Sequence, residues 1–118
     1  MIVNADILKS QISSALYKLG DYAGAVAKSL REQGIKGERQ SCKTCPIAAF
    51  LTKKFPGLIF EVGRYRVQTF EPVKPITGYT RPAEFLFEIP LPAACEAFVN
   101  DFDNLYKYKD LFQPQRVT

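Results

Sequence analysis

Leu58-Ile59-Phe60-Glu61-Val62-Gly63-Arg64-Tyr65-Arg66-Val67-Gln68-Thr69-Phe70 is the stretch that decides the fold class. Apolar residues recur at every second position on both sides of Gly63-Arg64, the period of a half-buried strand. Glycine at the first position of a two-residue loop suits a type II′ turn, so the stretch predicts a β-hairpin that turns at Gly63-Arg64. In that register Val62 faces Tyr65, Phe60 faces Val67 and Leu58 faces Thr69 on the buried side. The opposite side pairs Glu61 with Arg66 and Ile59 with Gln68, so one register serves apolar packing and an opposite-charge pair together.

Downstream, residues 71–83 hold three prolines and a glycine, which excludes a central strand or a helix and predicts a long, stiffened loop. A third strand follows at Glu84 to Ile89, with Phe85, Phe87 and Ile89 expected inward. Pro90-Leu91-Pro92 leads into a closing helix in which Cys95, Phe98, Val99 and Phe102 keep helical spacing. The aromatic tail Leu105 to Phe112 is expected to pack back onto the body.

Upstream, Ile7, Leu8, Ile12, Ala15, Leu16 and Leu19 form one helical stripe, capped by Asn4 or Asp6 and ended by Gly20. Asp21 is expected to cap a second helix with Tyr22, Ala25, Val26 and Leu30 on its apolar side, closed by Gly34. The two read as a helical hairpin; a single helix from 7 to 33 that tolerates Gly20 is the alternative. Residues 34–43 form a loop. A third helix starts with Thr44 as N-cap and Cys45-Pro46 in its first turn, buries Ile47, Phe50 and Leu51, and stops at Pro56-Gly57. The order is three N-terminal helices, a three-stranded antiparallel sheet and a C-terminal helix: an α+β chain, read as one domain over 1–118.

With 118 residues and 47% apolar side chains the chain can build one ordinary core. No run approaches the length of a membrane span, and Asp6 and Lys9 interrupt any secretory leader, so it reads as soluble and cytoplasmic, with no membrane contact. Three cysteines is an odd number without the framework of a small secreted protein, which predicts reduced thiols. Charge is divided: residues 1–81 carry net +7 and residues 82–118 net −3. A basic front suits an anionic partner; a chance segregation on a solvated surface gives the same numbers.

The short segment Gly34-Ile35-Lys36-Gly37, then Cys45-Pro46-Ile47-Ala48-Ala49-Phe50-Leu51, then Leu91-Pro92 with Phe98-Val99-Asn100-Asp101-Phe102-Asp103, resembles small uncharacterised proteins of actinobacteria, cyanobacteria and their phages. Phe50 stands where that pattern has tyrosine, and Cys42 lies outside it. The resemblance carries no established activity and therefore no catalytic residue. It implies a role in modulating a host or defence system.

Three function classes remain. Cys42 and Cys45, three apart at a helix start beside Lys43, are where a dithiol redox centre would sit, but such centres follow a strand and this pair follows a loop. Zinc needs four ligands, and the chain has no histidine, so one Cys-x-x-Cys with a remote Cys95 leaves the site incomplete. The plain reading makes Cys45 a small buried group and Cys42 incidental. Nucleic-acid binding would use the scattered lysines and arginines with Tyr65 or Tyr79 stacking on a base, without any recognisable motif. The leading expectation is a non-enzymatic protein-binding adaptor or inhibitor without metal or cofactor. It would meet an acidic surface through Lys36, Arg39 and Lys43 on one loop and Lys74, Tyr79 and Arg81 on the other.

Overall fold

The computed structural model describes residues 4–72 and 83–112. Helix α1 spans Ala5–Tyr17, α2 Ala23–Glu32 and α3 Pro46–Lys54; strands β1, β2 and β3 span Ile59–Val62, Arg66–Glu71 and Glu84–Pro90; helix α4 spans Ala93–Asn104, followed by a 3₁₀ turn at Lys109–Leu111. The α+β order read from the sequence is therefore the observed one. Among the described residues no helix is long and apolar enough to cross a membrane.

Local chemistry sets the helix limits. Asn4, not Asp6, caps α1: its Oδ1 accepts from the Asp6 and Ile7 backbone N–H groups at 3.0 and 3.3 Å. Leu8, Ile12, Ala15 and Leu16 are buried, whereas Ile7 is exposed. Gly20 adopts φ +152, and a Cβ there would lie 2.5 Å from that of Ala25, so the chain breaks at this glycine and no helix runs from 7 to 33. Tyr22 rather than Asp21 is the N-cap of α2, and its ring points to solvent. α1 lies chiefly against β3 and α2 against α4, so each helix finds its main neighbour elsewhere than in the other.

The three strands form an antiparallel sheet with β2 in the middle. The hairpin turns at Arg64-Tyr65, one residue later than expected, and Gly63 N–H donates to Arg66 O at 2.8 Å. Val62 is thus opposite Val67, Phe60 opposite Thr69 and Ile59 opposite Phe70. A two-residue slip preserves side-chain parity, so Phe60, Val62, Val67 and Thr69 still face the core. What changes is the partners: Tyr65 sits exposed on the turn, and Arg66 pairs with Glu88 at 3.2 Å instead of Glu61. Between Thr69 and Phe70 the β2–β3 register shifts, leaving Leu86 as an extra residue, and Phe85 emerges opposite Phe70 on the solvent face rather than inward beside Phe87 and Ile89.

Phe60, Val67, Phe87 and Ile89 of the inner face join Leu16, Leu30, Ile47, Leu51, Phe98 and Phe102 of the helices in one continuous core. Each such side chain contributes about 1.5–3 kcal/mol by leaving water. The tail packs back as expected: Leu111 is buried, and Phe112 meets Phe102 edge-on with ring centroids 4.9 Å apart.

Candidate functional site

The connection from α2 to α3 is shaped residue by residue. Gly34, at φ +69, closes α2 in a Schellman motif: its N–H donates to Arg31 O and that of Ile35 to Leu30 O, both at 3.0 Å, and Ile35 is buried. Gly37 then runs against the start of α3. A Cβ on Gly37 would lie 2.3 Å from Pro46 N and 2.5 Å from Cys45 C, while its N–H donates to Leu111 O at 2.9 Å. Only a residue without a side chain fits between these two backbones. Glu38 N–H donates to Thr44 O at 2.9 Å, which closes the loop.

Cys45, not Thr44, is the N-cap of α3, and its Sγ accepts from Ala48 N–H at 3.4 Å. Thr44 is held one step earlier, its N–H donating to Ser41 Oγ at 3.2 Å. Pro46 takes the first helical position, where its missing N–H has no intrahelical partner to lose.

On the other side of this loop lies the end of α4. Gln40 is left-handed (φ 56), and its N–H donates to Asp103 Oδ1 at 2.9 Å. Arg39 donates from Nη2 to the Asp103 carbonyl and lays its guanidinium 3.7 Å above the Tyr106 ring, a stacked cation–π contact. Tyr106 (φ 54) and Tyr108 (φ 60) are left-handed as well. Such a backbone costs about 1–2 kcal/mol at each non-glycine residue. Three of them meet in this one junction. The outcome is that Tyr108 turns inward and stacks on Phe98 at 5.4 Å, while Leu105 and Tyr106 stay 55% and 54% exposed.

Of the residues expected to meet a partner, Lys36 and Lys43 are exposed on this loop. Arg39 is half-buried and engaged within the chain, so it positions Tyr106 rather than projecting alone. Lys74, Tyr79 and Arg81 lie outside the described residues. Beside the junction Arg31 pairs with Asp110; hydrogen bonding to the guanidinium holds that carboxyl below the usual range. Leu105 and Tyr106 were not singled out from sequence, because an aromatic-rich tail after a helix reads as packing material. Nothing in the residue types marks a tyrosine as left-handed, a conformation that disfavours bulky side chains.

The three thiols differ in exposure. Cys42 is exposed with its Sγ 3.7 Å from Glu61 Oε1, and Cys45 and Cys95 are buried; all three are free. Burial pushes the Cys45 thiol up to about 11 despite the Ala48 N–H that favours its thiolate, and burial pushes Cys95 up to about 12. A redox or nucleophilic cysteine needs the opposite shift. Among the described residues no three His, Cys, Asp or Glu side chains gather as metal ligands would. An open cleft of about 500 Å³ between α1 and the end of α3 presents Ser10, Gln11, Ser14, Lys18 and Lys54 beside Phe55. Comparison with protein-family models, with curated proteins and with solved structures returned no match, so the functional reading rests on this geometry.

Proposed function

We propose that this chain acts by binding another protein, as an adaptor or inhibitor, and that the contact is made by the junction of the 36–43 loop with residues 105–108. The observation that carries the reading is the meeting of three left-handed non-glycine residues, Gln40, Tyr106 and Tyr108, where Leu105 and Tyr106 are held out to solvent. Strain of this kind persists only where surrounding contacts enforce it, and it gathers at sites of function. Tyrosine over arginine, framed by Lys36 and Lys43, is the side-chain chemistry of an interface anchor for an acidic protein surface. The loop is already fixed by Gly37 and by its bonds to Asp103, so docking loses little conformational entropy. Lys74, Tyr79 and Arg81 belong to the same proposal as a second stretch of contact. The resemblance to phage-encoded proteins supports a partner in a host or defence system.

The test is affinity capture from host lysate with and without nuclease, followed by titration of the captured partner against purified variants. Tyr106→Ala and the double variant Lys36→Glu/Lys43→Glu, each shown to be folded by circular dichroism, are expected to weaken binding about tenfold or more. A partner lost on nuclease treatment replaces this reading with nucleic-acid binding. Full affinity in folded Tyr106→Ala and Leu105→Asp moves the contact off the junction.

A further inference from the structure

The cleft between α1 and the end of α3 is built from residues that the junction does not use. On α1, Gln11, Ser14 and Lys18 follow one another at spacings of three and four with Ser10 beside them, so their side chains stack along one side of the helix. Buried Ala15 lies on the same side. The opposing wall is the C-terminus of α3, where Lys54 is the last helical residue and Phe55 the C-cap. Phe55 is half-buried, and its ring tilts against that of core Phe60 with centroids 6.3 Å apart, so this wall is anchored before any ligand arrives. Short side chains at Ser10, Ser14 and Ala15, set between long ones at Lys18, Lys54 and Phe55, make the surface concave. Its volume of about 500 Å³ is that of a small-molecule cleft rather than of a flat protein interface.

The chemistry of this hollow is one-sided. Lys18 and Lys54 are exposed, and among the described residues neither is matched with a carboxylate, whereas Arg31, Arg66 and Lys107 are matched with Asp110, Glu88 and Asp101. Lys53, one position before Lys54, donates to Gln33 O at 3.2 Å and is turned away from the cleft. Among the described residues no aspartate or glutamate lines it. A lysine at each helix C-terminus is favoured by the carbonyl dipoles there, which accounts for Lys18 and Lys54 singly. It does not account for the hydroxyls and the amide gathered between them. Serine is a weaker helix former than alanine or lysine, so α1 itself has no need of Ser10 and Ser14 on an exposed side. Thr52 on α3 turns its hydroxyl back onto Ala48 O at 2.8 Å; among the described residues the two serines make no such bond and keep their donors for the cleft.

We propose that this cleft binds a small phosphate monoester that carries an aromatic or apolar group. The phosphoryl oxygens would accept from the two ammonium groups and the serine hydroxyls, and the apolar part would rest on Phe55 and Ala15. A phosphate monoester bears about two negative charges at neutral pH and three acceptor oxygens, which suits two lysines and two hydroxyls; a carboxylate offers one charge and two oxygens. The site is separate from the basic junction and stands whether or not that junction binds protein.

The probe is phenyl phosphate, titrated into the full chain while backbone amide resonances are followed, with inorganic phosphate, benzoate and phenol as controls. Saturable binding in the millimolar range or tighter is expected, with shifts centred on residues 10–18 and 54–55 and each control weaker by about tenfold or more. Lys18→Gln/Lys54→Gln, which removes only exposed charge, and Ser14→Leu, which fills the hollow from an exposed helical position, should each weaken phenyl phosphate about tenfold or more, while Tyr106→Ala leaves it unchanged. Shifts that do not saturate or that centre elsewhere, equal binding by any control, or indifference to either cleft variant overturns the proposal. Tighter binding of a glutamate-rich peptide at the same residues overturns it too, by giving the cleft to a protein.

Discussion

The junction and the sheet are held in shape by different kinds of constraint. At the junction, individual backbones touch: Gly37 lies against the Cys45-Pro46 peptide, and Gln40, Tyr106 and Tyr108 each sit in a left-handed well. In the sheet, no single residue has that authority. Register is set by a row of side chains, and a slip of two residues relative to the pattern's simplest reading leaves the same residues buried. Shape at the junction is therefore brittle to one added methyl group, whereas the sheet answers to hydroxyls and charges in small steps.

The largest effect expected is alkaline; it reaches the junction through Cys45 and, outside both regions, the helical packing through Cys95 between α4 and α1, where its Sγ–H faces Leu16 O at 3.7 Å. The folded thiols titrate at about 11 and about 12, above the ordinary 9.0. Below pH 9 both folded and unfolded chains keep these protons and the stability is intact; above it the unfolded chain ionises first, so stability falls as pH rises through the folded values. The loss should reach about 3 kcal/mol from Cys45 and about 4 kcal/mol from Cys95. Urea unfolding across this range checks it, and Cys45→Ala and Cys95→Ala should each flatten its own share of the decline. Unchanged slopes in both variants would show that the thiols are hydrated in solution.

Gly37→Ala is next. Its Cβ would stand 2.3 Å from a backbone atom that cannot move aside, and the expected cost is about 3 kcal/mol. Gly34→Ala is the matched control: it meets nothing within 4 Å but must hold φ +69, so about 1 kcal/mol is expected. Equal costs, measured by urea unfolding, would mean that backbone conformation rather than close approach governs the loop.

On the sheet side, Thr69 is fully buried on the central strand and its Oγ1 has no hydrogen-bond partner among the described residues. Thr69→Val keeps the shape and removes the unsatisfied hydroxyl, so a gain of about 1 kcal/mol is expected. A loss instead would place a bound water on that hydroxyl. The smallest effect belongs to Arg66 and Glu88, both substantially exposed: a double-mutant cycle should return under about 1 kcal/mol, shrinking further in high salt. A larger coupling would mean that the solvent face is less open than its exposure indicates.

Much of the fold is legible in residue order because the cues are local. The spacing of Leu8, Ile12 and Leu16, the Schellman closure at Gly34, Pro46 at a helix start and the alternation through Phe60, Val62, Val67 and Thr69 each depend on neighbours a few positions away. These features determine element order, class and nearly all of the core. The hairpin register escaped because two turns, at Gly63-Arg64 and Arg64-Tyr65, bury the same side chains, and alternation alone does not choose between them. Phe85 escaped because alternation cannot show an extra residue in a strand. The junction escaped most fully. Lys36 and Lys43 were visible as exposed charge, but the engagement of Arg39 with Asp103 and Tyr106, the burial of Gly37 against Pro46 and the outward set of Leu105 and Tyr106 join residues more than sixty positions apart, or helix ends that touch only after α2 and α4 have packed. Local physics selected the pieces; the left-handed turns and the bulge exist because packing free energy from the whole core outweighs the one or two kcal/mol that each costs, about.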